Sequence, residues 1–115
     1  MFDEDPTKRY RTVASIVLAS DEAKQLGPCK SIAEQLGVHF KQCEIGQLGD
    51  VAAQWRPFAL LVSERLHAAA APASIEGIAR ECNATMIVLN DSLPEAELTK
   101  SLTSTLKQLL RKHFA

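Results

Sequence analysis

Short apolar runs recur along the chain, separated by longer stretches of mixed character. "VASIVLA" (13–19), "FALLVS" (58–63) and "TMIVLN" (85–90) are rich in Val, Ile and Leu. They are too short for helices and suit strands buried on both faces of a parallel sheet. "VHFKQCEI" (38–45) mixes polar with apolar positions, as an edge strand does.

The intervening segments show helical spacing. Over 21–36, Ala23, Leu26, Ile32, Ala33 and Leu36 form an apolar stripe that stops at Gly37. Pro28 interrupts it: either the helix kinks there, or it begins at Pro28 with Gly27 as its cap. "GQLGD" reads as a loop, with Asp50 capping a short helix "VAAQW" that Arg56-Pro57 ends. The alanine run 68–71 reads as a helix start or a plain loop. A helix over 72–82 turns Ile75, Ile78, Ala79 and Cys82 inward. Ser92-Leu93-Pro94-Glu95 has the form of a capping box and opens a long helix over about 93–113. Leu98, Leu102, Leu106, Leu109 and Leu110 recur along it, with Lys107, Arg111, Lys112 and His113 near its negative end.

Strand and helix therefore alternate four times. That order predicts an α/β fold of the flavodoxin type, a three-layer sandwich in which helices cover both faces of four parallel strands. The organisation expected is a flexible arm over 1–12, the α/β unit over 13–92 and the long helix over 93–115.

Composition narrows the function classes. A net charge of −1 over 115 residues offers no electrostatic footprint for nucleic acid or an anionic membrane surface. Cys29, Cys43 and Cys82 are odd in number and widely spaced, without a zinc-site pattern. Reduced thiols in a cytoplasmic protein are the expectation. "MFDEDPTKRYRT" lacks the apolar segment of a signal peptide, and no apolar run is long enough to span a bilayer.

In a doubly wound sheet, function sits at the carboxyl ends of the strands. Those ends carry Ser20-Asp21-Glu22, Ser63-Glu64 and Asn90-Asp91. "IVLASDE" followed by a helix ending in "LG", "RPFALLVSERL", and "MIVLND" together resemble the receiver domain of two-component response regulators over about 13–92. The resemblance rests on order and spacing. It implies a metal-binding acidic pair at the first strand's end, a phosphorylated aspartate at the third, a Thr or Ser at the fourth and a lysine at the end of a fifth. In this chain Ser20 takes the first acidic position and only Asp21 fits, with Glu22 beside it. Ser63 stands at the phosphoacceptor position and Asn90 at the switch-hydroxyl position. The lysine has no clear counterpart, and one βα unit is missing. "NATMIVLNDSLPEAEL" also matches the family's fifth strand and last helix, but the interval from Ser63 to Asn90 is that of the third to fourth strands.

These departures have a direct chemical consequence. An aspartyl phospho-switch needs a carboxylate nucleophile, a metal and a cation for the product. A serine without a base cannot replace that carboxylate, and one or two acids without a lysine hold Mg²⁺ weakly. The expectation is a pseudo-receiver that is not an enzyme and needs no cofactor. It would act in bacterial signalling or transcription control through a homodimer or a signalling partner, with no direct nucleic-acid or membrane contact. "LGVHFKQCEIGQLGD" is loosely similar to the degenerate N-terminal domains of sigma-54-dependent flagellar regulators. The leucine stripe Leu98, Leu102, Leu106, Leu109 and Leu110 is expected to dock partly on the domain and partly to continue outward as the interface or an output linker, with the unpaired fourth strand as a second route to dimerisation. The alternative is a small flavodoxin-like enzyme or nucleotide binder, against which no glycine-rich loop follows the first strand.

Other motifs have plainer readings. Ser63 with His67 lacks the strained G-x-S-x-G elbow of a nucleophile. Asp21-Glu22 suit a helix N-terminus. Gly46-Gln47-Leu48-Gly49 lacks basic neighbours and reads as a turn. Cys29 reads as a packed thiol, and Trp55 and Phe58 as helix–sheet packing.

Overall fold

The structure is a computed structural model that describes residues 14–20, 23–69 and 72–114. The arm expected over 1–12, and Asp21-Glu22, lie outside the described residues. Four strands form one parallel sheet: β1 (Ser15–Ala19), β2 (His39–Cys43), β3 (Ala59–Ser63) and β4 (Thr85–Leu89). Their order across the sheet is β2-β1-β3-β4, the first four places of the flavodoxin-like arrangement. β4 lies next to β3 at one end of that order.

The helices are α1 (Ala23–Leu36), α2 (Leu48–Trp55), α3 (Glu64–Ala69), α4 (Pro72–Cys82) and α5 (Glu95–Phe114). The two central strands are buried along their whole length, as their apolar runs over 16–19 and 59–62 require. Alternate residues feed two cores. Ile16, Leu18, Ala59 and Leu61 meet Cys29, Ile32 and Ala33 of α1 and Leu98, Leu102 and Leu106 of α5. Val17, Ala19, Leu60 and Val62 meet Leu48 and Ala52 of α2 and Ile75 and Ala79 of α4. Phe58 belongs to the first core, and Trp55 packs on the second and makes an edge-to-face contact with His39. β2 is the polar edge expected, with only Cys43 buried.

Several boundaries differ from the sequence reading. α1 runs through Pro28 without a break, so the helix does not restart at the proline. Asp50 lies inside the first turn of α2 and does not cap it; a 3-10 turn over Ile45–Gln47 leads into that helix. Chain directly after β3 is helical, so a short α3 stands where a connection was expected. α5 begins at Glu95, and the Leu98 N–H reaches Pro94 O at 2.9 Å. Ser92 therefore belongs to the preceding turn, where its N–H meets Asn90 Oδ1 at 2.8 Å, and the capping box does not form.

Three helix ends use the left-handed region. Gly37 (φ 72) and Asn83 (φ 58) follow α1 and α4, and Val38 and Ala84 donate back to Ala33 O and Ala79 O. Arg56 (φ 50) does the same job after α2 without the freedom of glycine, a local strain of about 1–2 kcal/mol.

Most of the leucine stripe on α5 docks on the domain. Leu98, Leu102 and Leu106 are 3%, 3% and 0% exposed. They are committed to the chain's own core, because α5 lies along α1 over the sheet. Leu109 and Leu110 are half-buried against the same cluster. A helix of 20 residues is thus largely accounted for by intramolecular cover.

Candidate functional site

The strand ends bring their polar residues to one edge of the sheet, where they are stitched together. Ser20, just past β1, is 4% exposed, and its hydroxyl donates to Gln25 Oε1 at 2.6 Å. Gln25, in the first turn of α1, is fully buried, and its Nε2 donates to Asp91 Oδ1 at 2.6 Å. The other oxygen of Asp91 accepts the Arg65 N–H of α3 at 3.0 Å. Gln42 of β2 donates from Nε2 to Ser20 O at 3.0 Å. Side chains from three elements thereby close over the end of β1, and Asp91 ties the turn after β4 to the start of α3.

A buried amide is tolerated because both of its ends are used. Gln25 has an acceptor facing a hydroxyl and a donor facing a carboxylate, a charge-assisted bond and the stronger of the two. Its carboxamide occupies the crevice where a doubly wound fold would place a ligand.

Ser63 is fully buried at the end of β3, and its Oγ accepts the Leu66 N–H at 3.1 Å. This hydroxyl caps the turn into α3. His67 Nε2 is buried without a hydrogen-bond partner, so Ser63 and His67 do not form a nucleophile–base pair through that nitrogen. Asn90 is exposed, and its side chain closes the Asn90–Ser92 turn. Of the four expected positions, Ser20 and Ser63 are placed at the buried edge, Asn90 at its rim, and Asp21 lies outside the described residues. No group of three or more potential metal ligands exists among the described residues.

The strand ends read from the sequence include Asp91 but neither Gln25 nor Gln42. Gln25 had a detectable signal: it is one turn before Cys29 and two before Ile32, on the face that the core claims. A polar residue on that line must find buried partners.

An open pocket of about 330 Å³ adjoins the network, lined by Ser20, Gln42, Cys43, Glu44, Ile45 and Leu66. Its thiol is not poised for chemistry. Burial pushes Cys43 up from its ordinary pKa, Lys41 opposes this and Glu44 adds to it. Cys82 is also raised, by burial first, with Arg56 lowering and Glu81 raising it.

No family model matches this sequence, and no curated protein does. The likeness is one of fold alone. A de novo designed Rossmann 2x2 fold protein is 11% identical, with a TM-score of 0.58, over 89% of this chain and 97% of its own. The lactose-specific IIB component domain of the phosphoenolpyruvate:carbohydrate phosphotransferase system from Streptococcus pneumoniae is 14% identical, with a TM-score of 0.53, over 88% of this chain and 97% of its own. Both support a Rossmann-like α/β fold of four parallel strands; neither is a receiver domain. No described helix is long and apolar enough to cross a membrane.

Cys29 illustrates how completely α1 is packed. It is fully buried, and burial pushes its thiol from 9.0 to about 12. The folded chain holds this proton more tightly than the unfolded chain does. The associated stability is complete below pH 9.0 and is lost as the pH rises toward about 12, at ~1.4 kcal/mol per unit. Urea unfolding above pH 9.0 is expected to show this decline and Cys29→Ala a shallower one; equal slopes would contradict the assignment. Thiol reagents should leave Cys29 untouched in the native protein.

Proposed function

We propose that this chain is a phosphorylation-independent regulatory or protein-interaction domain, a pseudo-receiver that works in the bacterial cytoplasm through partner binding or dimerisation. The observation that supports it most is the Ser20–Gln25–Asp91 chain of hydrogen bonds. A phospho-switch requires an open acidic crevice with a carboxylate at the end of its third strand. Here that end carries a buried serine that caps a turn, and a buried glutamine amide spans from Ser20 to Asp91.

The test is phosphoryl transfer itself. Incubation with acetyl phosphate and Mg²⁺ is expected to leave the mass unchanged and amide NMR shifts unmoved. Ser63→Asp should restore neither phosphorylation nor Mg²⁺ binding, because Gln25 still occupies the crevice. Restoration by that single change would overturn the proposal.

A second reading, a small-molecule binder, draws on the pocket beside Gln42 and Glu44, whose volume of about 330 Å³ falls at the low end of ligand sites. Titration with nucleotides and flavins by calorimetry separates the two. Micromolar binding abolished by Gln42→Ala would favour the second.

A further inference from the structure

The two edges of the sheet are unequal. β2 has a polar pattern with an exposed Lys41 at its centre, a common guard against pairing with another chain. β4, Thr85–Leu89, has no charge, proline or glycine. Among the described residues it pairs only with β3. It also carries Val88, the one large apolar side chain exposed among them, at 39%.

The hydrogen-bond phase of β4 is fixed. The Thr85 N–H bonds Phe58 O at 3.0 Å, with Thr85 in register with Ala59. In a parallel ladder the bonding residues alternate, so Thr85, Ile87 and Leu89 direct their main-chain groups toward β3. Met86 and Val88 direct theirs outward.

We propose that β4 is the docking edge for a second copy of this chain, joined antiparallel to the β4 of its partner across a two-fold axis at Ile87. The proposal rests on reading the chain as an interaction domain and names its partner and register. An antiparallel pair needs outward-facing residues opposite one another. Centring on Ile87 sets Met86 against Val88 of the partner subunit and the reverse, so both outward residues on each strand are used. Side-chain parity agrees. Met86 packs on the second core and Ile87 and Leu89 on the first, so Val88 lies on the face of Met86 and covers that of the other copy. Charges agree as well. Thr85–Leu89 carries no charge, so no like charges meet along the strand in this register. The contact is isologous and closes at two copies, giving a continuous eight-stranded sheet. A head-to-tail joint of β4 to β2 would confront Lys41 and would not close.

The test is sedimentation of the full chain at high micromolar concentration. A dimer is expected, and Val88→Lys, at an exposed position, should weaken it by about tenfold or more with an unchanged circular dichroism spectrum. Ile87→Cys in a Cys82→Ser background should cross-link to itself on mild oxidation, since a non-hydrogen-bonded antiparallel pair brings the two Cα atoms within disulfide reach. A monomer, or a dimer indifferent to Val88→Lys, overturns the proposal. So does a dimer that forms only when residues 1–13 are deleted, because the chain's own arm would then be the occupant. None of these results bears on phosphoryl transfer, so the failure of the edge and the failure of the pseudo-receiver reading are read separately.

Discussion

Leu106→Ala is expected to destabilise the folded chain by about 2–5 kcal/mol, the usual cost of emptying a closed aliphatic site. Leu106 is fully buried in the core between α1, α5 and the sheet. The loss should be the same at low and high protein concentration, because the side chain serves its own subunit. A leucine at a subunit contact behaves differently: its removal costs stability only where the dimer is populated. Urea unfolding at two protein concentrations makes the distinction. A concentration-dependent loss, or one well under 1 kcal/mol, would return α5 to the role of an interface helix. Against a domain stability of about 5–15 kcal/mol, the expected loss is large.

Gln25→Glu should be comparably damaging and, unlike the leucine change, should depend on pH. The Gln25 amide donates to Asp91 at 2.6 Å, so a carboxylate in its place would face a second carboxylate. Two such groups cannot both ionise at that separation, and the introduced Glu is held above its unfolded value. The sign follows: the variant keeps its stability below the unfolded carboxylate range, where a shared proton replaces the amide hydrogen, and loses it as the pH rises toward neutral. A loss of about 2–4 kcal/mol at neutral pH matches an uncompensated buried charge. Gln25→Leu, which keeps the volume and removes both hydrogen bonds, should cost about 1–3 kcal/mol at neutral pH without introducing a new titrating group. If Gln25→Glu were as stable as the parent at pH 7, the crevice would be open to solvent and the closed-site argument would fail.

The frame of the fold was legible in the sequence because its strands are central and unambiguous. "IVLA" (16–19) and "ALLV" (59–62) are uniformly apolar, and a strand buried on both faces needs that. The stripe along the last helix was legible for the same reason. Its destination was not, since a leucine stripe reads identically whether it covers a sheet or a second copy. α3 was hidden by its length: six residues leave no periodicity to detect. The capping box failed because Asn90 took the Ser92 N–H first, and a local turn won over the longer-range motif.

The candidate site was legible as a location and less so as a set of partners. Alternation of strands and helices placed Ser20, Ser63 and Asn90 at one edge, and the structure keeps Ser20 and Ser63 there, buried. What spacing could not convey is that Gln25 and Asp91, separated by most of the chain, meet across it. That contact depends on α1 lying close to the turn after β4, a tertiary outcome with no local signature.

The strand order carries a consequence for synthesis. β1 ends between β2 and β3, and Ile16 meets Ala59 only after 43 further residues have been made (59 against 16). At the usual pace of translation that interval is roughly 2–9 s. Throughout it, an uncharged aliphatic strand has one side without its neighbour. A segment fully buried in the finished domain is therefore left incomplete in the nascent chain, and during that interval it is open to aggregation and to chaperone capture.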